Sequence, residues 1–406
     1  MKLYHILALT CLLGYLLVPH FVFVQMQQSS LGTGLLAVAA VLLTYYAARR
    51  RLHLTRLQLG ILFVISCSIV FSCLQFGFDL VLRQILSLMG ISVVFLATNS
   101  MFRAHLDGNP RDLRRSFSWI FTFLVMIGVA GKLRIFTPGN YALLPKPIFP
   151  FSEESHYALT LSVVACVYMM QLRPKFRIAV CLLLGGLAIW FPNTTMLGAS
   201  LFIAAVLFSL RAALIFIGLG TVVLLAPAHW LTAIDVDYFG QRLKVGESAE
   251  NLTTVIYFQG WEQGWIATWE GRGIGVGFQR FGSEPPGSRA QYVDAVYGLD
   301  LNRKDGSNVG SKLLGEFGLI GLLALVAAAC AGVWAFRGLR RLRGRDAPFS
   351  VHVLHLSVVY MFIIELFFRG LGYLNPTLFL YLYCISRLGM TRYMRHSLGR
   401  LSASTR

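Results

Sequence analysis

Charged residues are scarce in this sequence of 406 residues. Asp, Glu, Lys and Arg together make up 13% of the chain, against about 25% in an ordinary soluble domain. Hydrophobic residues make up 56%, and the mean hydropathy is +0.65. So low a charge content excludes a soluble globular domain and predicts an integral membrane protein.

Disulfide and metal-ligand patterns are lacking as well. All seven cysteines fall inside apolar stretches, so none can form a disulfide in a loop outside the membrane. Neither zinc-ligand spacing nor an acidic pair at metal-ligand spacing occurs. We therefore expect no disulfide framework, no obligatory metal and no cofactor.

Long apolar runs are abundant. Many are roughly 17–25 residues long, the length that crosses a ~30 Å hydrocarbon core as an α-helix. We predict an all-α polytopic membrane protein with about 12 transmembrane helices, near residues 4–25, 31–48, 57–76, 84–102, 117–131, 155–172, 178–192, 196–210, 212–228, 313–336, 349–368 and 372–388.

The net charge of +18 divides unevenly between the two sides that these helices define. One set of alternate connections holds 23 of the 36 Lys and Arg but three of the 18 acids. Excess positive charge marks the cytoplasmic side, so we predict that both termini are cytoplasmic and that the basicity reflects topology rather than nucleic-acid binding. The basic connections are 1–3, 49–56, 103–116, 173–177, 211, 337–348 and 387–406.

These assignments divide the chain into four parts. Residues 1–228 form helices 1–9, with a smaller outer loop at 132–155. Residues 229–312 form a large outer loop with an interfacial helix, residues 313–388 form helices 10–12, and 389–406 form a basic cytoplasmic tail.

Polar residues stand out where outer loops meet apolar helices. Ser152 or Ser155 suits the cap of the helix that follows, as acidic residues suit its first turn. His156 lies one residue inside the apolar stretch, where ionisable side chains are costly and often functional. Two further i,i+4 pairs, Lys312 with Glu316 and Glu365 with Arg369, lie at the outer edges of helices ten and eleven.

An aromatic stripe and a glycine run mark the large outer loop. The stripe recurs every four residues in a helix predicted from Asn251, which is typical of a helix at the membrane interface; stacking on sugar rings is the alternative. The glycine spacing matches neither a dinucleotide fingerprint nor a P-loop and predicts close backbone approach to a helix or a ligand. The stripe is Tyr257, Trp261, Trp265 and Trp269, and the run is Gly271, Gly273, Gly275 and Gly277.

Taken in order, these segments resemble the motifs of bacterial O-antigen and capsular polysaccharide polymerases, a family related to the O-antigen ligases. The first segment is similar to that family's Ser-Glu-Pro-Ser-His-aromatic-Ala motif, with Glu154 in place of proline. The motifs cover less than a third of the chain. They are Ser152 to Ala158, Asn251 to Glu262, Gly273 to Gln279, Asn302 to Ser307, Lys312 to Gly318 and Arg369 to Tyr373.

The resemblance implies a metal-independent glycosyltransferase of GT-C-like architecture in the bacterial inner membrane. Its substrates would be polyprenyl-diphosphate-linked oligosaccharides at the periplasmic face. The growing glycan would pass from its carrier to the next lipid-linked repeat unit, releasing polyprenyl diphosphate. The implied partners are these lipid-linked oligosaccharides, the lipid bilayer and a separate chain-length regulator, with no nucleic acid.

This chemistry assigns roles to individual residues. Fixed cations stabilise a diphosphate leaving group, and a carboxylate or imidazole accepts the proton of the acceptor hydroxyl. We expect Glu153, His156 and Arg369 to be catalytic, with Glu365 orienting Arg369. Glu153 and His156 are the candidate bases by position, and Glu262 is a third. The expected substrate-binding residues are Arg242, Trp261, Glu262, Arg272, Arg280, Asp305, Lys312, Glu316 and Tyr373.

Two other functions fit parts of the sequence. An O-antigen ligase, which transfers the finished glycan to lipid A core, would share the architecture and the chemistry. A 12-helix transporter or lipid-linked oligosaccharide flippase would differ, because transporters commonly have two related halves and ionisable groups near the bilayer midplane. Here the halves are unlike and the charges lie at the outer edge.

Overall fold

The computed structural model describes residues 3–28, 30–49, 51–107, 110–144, 146–208, 252–298, 303–343 and 350–389. Within these ranges the chain is helical and has no β-strand. The helices are α1 (Leu3–Gln25), α2 (Gly32–Ala48), α3 (Arg56–Phe76), α4 (Val81–His105), α5 (Pro110–Lys132), α6 (Glu154–Met169), α7 (Pro174–Trp190), α8 (Thr194–Leu207), α9 (Leu252–Glu270), α10 (Ser288–Tyr297), α11 (Val309–Leu342), α12 (Val351–Phe367) and α13 (376–389), with a 3-10 helix at Gly139–Leu143.

Five of these helices, α1, α3, α4, α5 and α11, are long and apolar enough to cross a membrane. The helices α2, α8 and α12 are shorter and also apolar. Large apolar side chains face outward, as at Phe63 and Leu74, which are 68% and 79% exposed. Apolar surface of this kind requires a lipid environment. The protein is therefore membrane-embedded, and the part of it that the structure describes is all-helical.

Eleven of the twelve predicted helical stretches coincide with described helices. The largest difference is α5, which begins at Pro110 rather than near 117 because proline at the first helical position lets the helix start in the charged residues before the apolar run. The stretch 212–228 and nearly all of the basic tail lie outside the described residues. The number of crossings and the four-part division of the chain stay predictions.

Helix α6 lies at the centre of the bundle. It packs against α5, α8 and α12, and almost every residue from Tyr157 to Val167 is buried. A helix that is apolar on all sides is stable only when other helices surround it. Its first turn is thereby held in a fixed position, and that turn carries the candidate site.

The helix ends form two groups. At one end, here called the site end, Gln25 donates to Pro138 O at 3.0 Å, and Arg369 lies 2.6 Å from Glu153. At the opposite end, here called the basic end, Arg387 lies 2.5 Å from Asp107. The Arg387–Asp107 contact brings two of the predicted basic connections together at the basic end.

Candidate active site at the first turn of helix α6

Glu153, directly before α6, is the hub of a polar cluster. Its Oε1 accepts hydrogen bonds from Ser155 Oγ at 2.6 Å and from Arg369 Nη2 at 2.6 Å. The Nε2 atom of His156 lies 2.8 Å from the same oxygen. The structure thus brings together the three residues predicted to be catalytic, although Arg369 is 216 positions away in the chain.

The contacts of His156 define its tautomer. A carboxylate only accepts hydrogen bonds, so the nitrogen facing Glu153 carries the proton. The other nitrogen, Nδ1, lies 2.9 Å from Ser152 Oγ and accepts from it when the ring is neutral. A carboxylate, an imidazole and a hydroxyl in this order form the arrangement in which a histidine base is oriented by an acid.

The pKa of Glu153 decides between the two candidate bases. Partial burial alone would raise this pKa, but the hydrogen bond and charge of His156, the charge of Arg369 and the hydrogen bond from Ser155 hold it well below its usual range. A carboxylate this acidic stays ionised and is a poor proton acceptor. The geometry therefore favours His156 as the base and Glu153 as the group that orients it.

The predicted capping of α6 by a serine is wrong. Glu153 occupies the N-cap position, and no side chain makes a cap hydrogen bond there. The hydroxyls of Ser152 and Ser155 bond to His156 and Glu153 instead, because these half-buried polar partners compete with the backbone of the first turn. The four-residue spacing of Ser152, just before the helix, and His156, in its first turn, is the signal that could have identified this contact.

The predicted orientation of Arg369 by Glu365 is also wrong. Helix α12 ends at Phe367, so Arg369 lies beyond it and its side chain turns toward α6. Its Nε is buried without a hydrogen-bond partner among the described residues, and the side chain is 26% exposed. Part of the guanidinium therefore remains able to bind an anion.

A second polar cluster surrounds Tyr373, which lies four residues after Arg369 on the same loop. Tyr373 stacks on Phe278 with ring centroids 6.1 Å apart, and Lys312 Nζ lies 5.4 Å from the centre of the Tyr373 ring. Lys312 also donates to Lys304 O at 3.2 Å. Glu316, one turn after Lys312, is fully buried. Three predicted substrate-binding residues, Lys312, Glu316 and Tyr373, thus lie in neighbouring parts of the fold.

The glycine run packs against the start of α11. Val276 N donates to Gly315 O and Gly277 N to Glu316 O, both at 3.0 Å. Helix α11 is broken at Gly318, where φ is 54°. This break makes the carbonyl groups of Gly315 and Glu316 available to the glycine run. Of the two predicted partners, a helix or a ligand, the run contacts a helix.

Replacing Gly275 by alanine should destabilise the protein. Its φ of +87° disfavours any side chain, and a Cβ would lie 2.6 Å from the backbone of Glu316. We expect a loss of about 1–3 kcal/mol, measured by thermal unfolding of the purified protein in detergent. Gly185→Ala is the matched control, since nothing lies within 4 Å of its Cβ. Equal melting of the two variants would contradict this packing.

The aromatic stripe has two environments. Trp261 stacks on Phe367 with centroids 6.4 Å apart, and Tyr257 donates to Phe367 O at 3.0 Å. Trp265 and Trp269 are 43% and 73% exposed. The first half of the stripe therefore fixes α9 to the end of α12, and the second half is free for an interface or a glycan.

Other candidates lie outside the Glu153 cluster. The carboxylate of Glu262 accepts from the backbone N–H of Ser288 and Arg289 and caps α10. These hydrogen bonds outweigh the effect of partial burial, which would raise the pKa of Glu262, and lower that pKa. Arg280 is buried and lies 2.7 Å from Asp79.

Three predicted substrate-binding residues remain. Arg272 and Asp305 are exposed, and Arg242 falls outside the described residues. His20 of α1, which no sequence motif marks, is buried with its ring centroid 6.1 Å from that of His156. Among the described residues, no three His, Cys, Asp or Glu side chains converge as metal ligands would.

An apolar cavity of about 1230 Å³ lies between α3, α4, α11, α12 and α13. Phe278 and Tyr373 line it at the site end, and Arg56 and Arg103 line it at the basic end. The cavity therefore extends over much of the height of the bundle. Its lining is mostly apolar.

Comparison of the chain with protein-family models, with curated proteins and with solved structures finds no match.

Proposed function

We propose that the protein is a polysaccharide polymerase, a glycosyltransferase that joins polyprenyl-diphosphate-linked oligosaccharide repeat units at the outer face of a bacterial inner membrane. The observation that carries the proposal is the meeting of Glu153, His156 and Arg369 around one carboxylate oxygen. These residues come from two separate motifs of the resemblance, Ser152 to Ala158 and Arg369 to Tyr373. They supply a base, its orienting acid and a fixed cation.

Each residue of the cluster has a role in the transfer. The acceptor hydroxyl attacks the anomeric carbon of the donor glycan, and the bond from that carbon to the diphosphate oxygen breaks. His156 Nδ1 takes the hydroxyl proton, directly or through Ser152, and Glu153 stabilises the imidazolium that forms. Arg369 stabilises the charge that grows on the leaving diphosphate and keeps its own charge throughout.

The apolar cavity supports a lipid-linked substrate. A polyprenyl chain in the cavity would bring its diphosphate toward Tyr373, which lines the cavity at the site end. Lys312 lies over the Tyr373 ring and supplies a second cation near that position. The partners in this proposal are the lipid-linked oligosaccharides, the bilayer and a separate chain-length regulator.

The proposal includes twelve membrane crossings, a GT-C-like architecture, cytoplasmic termini and a periplasmic site end. The separation of the basic end from the site end supports this orientation, because excess Lys and Arg marks the cytoplasmic side. Alkaline phosphatase fused after Gly287 should be active, and the same enzyme fused after Gly344 should be inactive. The reverse pattern would place the site on the cytoplasmic side and contradict the proposal.

A deletion strain tests the reaction. Without a polymerase, the surface lipopolysaccharide should carry single repeat units, and the full chain of the protein should restore the ladder. A bare core with unattached polymer would indicate a ligase instead. Repeat units trapped at the cytoplasmic face would indicate a flippase.

A further inference from the structure

A buried hydrogen-bond chain joins α12 to α13 beneath the loop that carries Arg369 and Tyr373. Thr377 Oγ1 lies within hydrogen-bond distance of Glu365 Oε2 and lies 2.7 Å from Asn375 Oδ1. All three of these chain members are buried. Glu365 does not orient Arg369, which binds Glu153, and the proposed transfer reaction assigns no role to this hydrogen-bond chain.

The orientation of the Asn375 amide is fixed by two backbone groups. Its Nδ2 donates to Gly372 O, and its Oδ1 accepts from Leu378 N at 2.8 Å. The Oδ1 atom therefore faces Thr377 as an acceptor. The Thr377 hydroxyl, which carries a single proton, lies between Asn375 Oδ1 and Glu365 Oε2.

Counting protons determines the state of Glu365. If the Glu365 carboxyl were ionised, the single Thr377 hydroxyl proton could lie toward Glu365 Oε2 or toward Asn375 Oδ1, but not toward both. The other of these two close oxygen–oxygen contacts would then have no hydrogen between its atoms. A proton on Glu365 Oε2 satisfies both contacts. Glu365 then donates to Thr377 Oγ1, which donates to Asn375 Oδ1.

The surroundings of Glu365 also favour the neutral form. Arg369, the nearest cation in sequence, binds Glu153. From α1, Tyr15 faces this region and donates to Pro376 O at 2.5 Å. The Oε1 atom of Glu365 is buried with no hydrogen-bond partner among the described residues, and a buried carboxylate with no cation paired to it is strongly disfavoured.

We propose that Glu365 is a protonated carboxylic acid that fixes the 368–375 loop and so positions Arg369 and Tyr373. The loop is held at three places: by this chain, by Tyr15 on Pro376, and by Gly370 N, which donates to Ser307 O at 3.1 Å. Glu365 touches neither Arg369 nor the candidate base. It is a positioning residue, and its effect on activity rests on the proposed function.

Infrared spectroscopy of the purified protein in detergent tests the protonation state without any assay of activity. Subtracting the spectrum of Glu365→Gln from that of the wild type should show the carbonyl stretch of one carboxylic acid. Glu270→Gln, which removes an exposed acid, should show only carboxylate bands. Carboxylate bands alone in the Glu365→Gln difference would overturn the proposal, whatever reaction the protein catalyses.

The polysaccharide ladder tests the positioning role. Glutamine keeps a donor for Thr377, so Glu365→Gln should keep near wild-type polymer. Glu365→Leu and Thr377→Val break the chain and should each lower polymer, on the order of 10²-fold if Arg369 shifts by about 1 Å. Membrane levels by immunoblot and melting temperatures separate this loss from misfolding. Equal loss in the glutamine and leucine variants at equal folding would overturn a donor role.

Discussion

Arg369→Ala is expected to abolish polymer while the protein stays folded in the membrane. The substitution removes the guanidinium whose Nη2 binds Glu153 and whose Nε lacks a hydrogen-bond partner among the described residues. Loss of one preorganised donor to a developing negative charge costs on the order of 10²–10³-fold in rate. Arg369→Lys should restore little, because an ammonium cannot hold Glu153 and a phosphate oxygen in a fixed planar geometry.

A purely structural role for Arg369 predicts a different pattern. A partly exposed ion pair contributes about 0.2–1 kcal/mol to stability, so alanine would then barely change the ladder. Arg83→Ala is the matched control at the same end, where an exposed arginine donates to Gln279 at 3.3 Å. A full-length ladder from well-expressed Arg369→Ala would remove this residue from the site.

His156→Ala is expected to lower the rate of polymerisation by on the order of 10²–10⁴-fold, the usual cost of losing a general base. Glu153→Gln should cost a comparable amount. The glutamine amide keeps a carbonyl oxygen for these donors but lacks the negative charge that stabilises the His156 imidazolium and balances Arg369. The measurement is the initial rate of repeat-unit joining in membranes with matched protein levels.

Two controls sharpen this prediction. Glu270→Gln changes an exposed acid of α9 and should leave the rate unchanged. Ser152→Ala keeps the Glu153–His156 contact and removes only the hydroxyl on Nδ1, so its rate shows whether the proton passes through Ser152. Wild-type rates in both His156→Ala and Glu153→Gln would contradict a catalytic role and show that the cluster only stabilises the start of α6.

The helices could be predicted well from the sequence because a membrane helix satisfies its own backbone locally. Apolar run length alone located α1, α2 and α3 to within two residues. The break in α11 could not be predicted, since Gly318 adopts its positive φ only where the glycine run docks. Conformations that depend on distant backbone partners leave no local pattern.

The members of the site were easier to predict than their pairings. Glu153, His156 and Arg369 stood out as ionisable residues at helix edges, a signal that comes from the cost of charge in the membrane. Helical spacing suggested that Arg369 binds Glu365, yet the two are separated by the end of α12 and Arg369 binds Glu153. Contacts between residues over 200 positions apart require the packing of α6 against α12.

Reconstitution of the purified protein in vesicles with a single lipid-linked repeat unit tests the central claim most directly. Wild-type protein should produce carrier-linked glycans of two or more repeats and release one polyprenyl diphosphate for each bond formed. Arg369→Ala at equal folding should produce neither. Repeat units that stay single, with no diphosphate released by folded wild-type protein, would contradict the proposed transfer reaction.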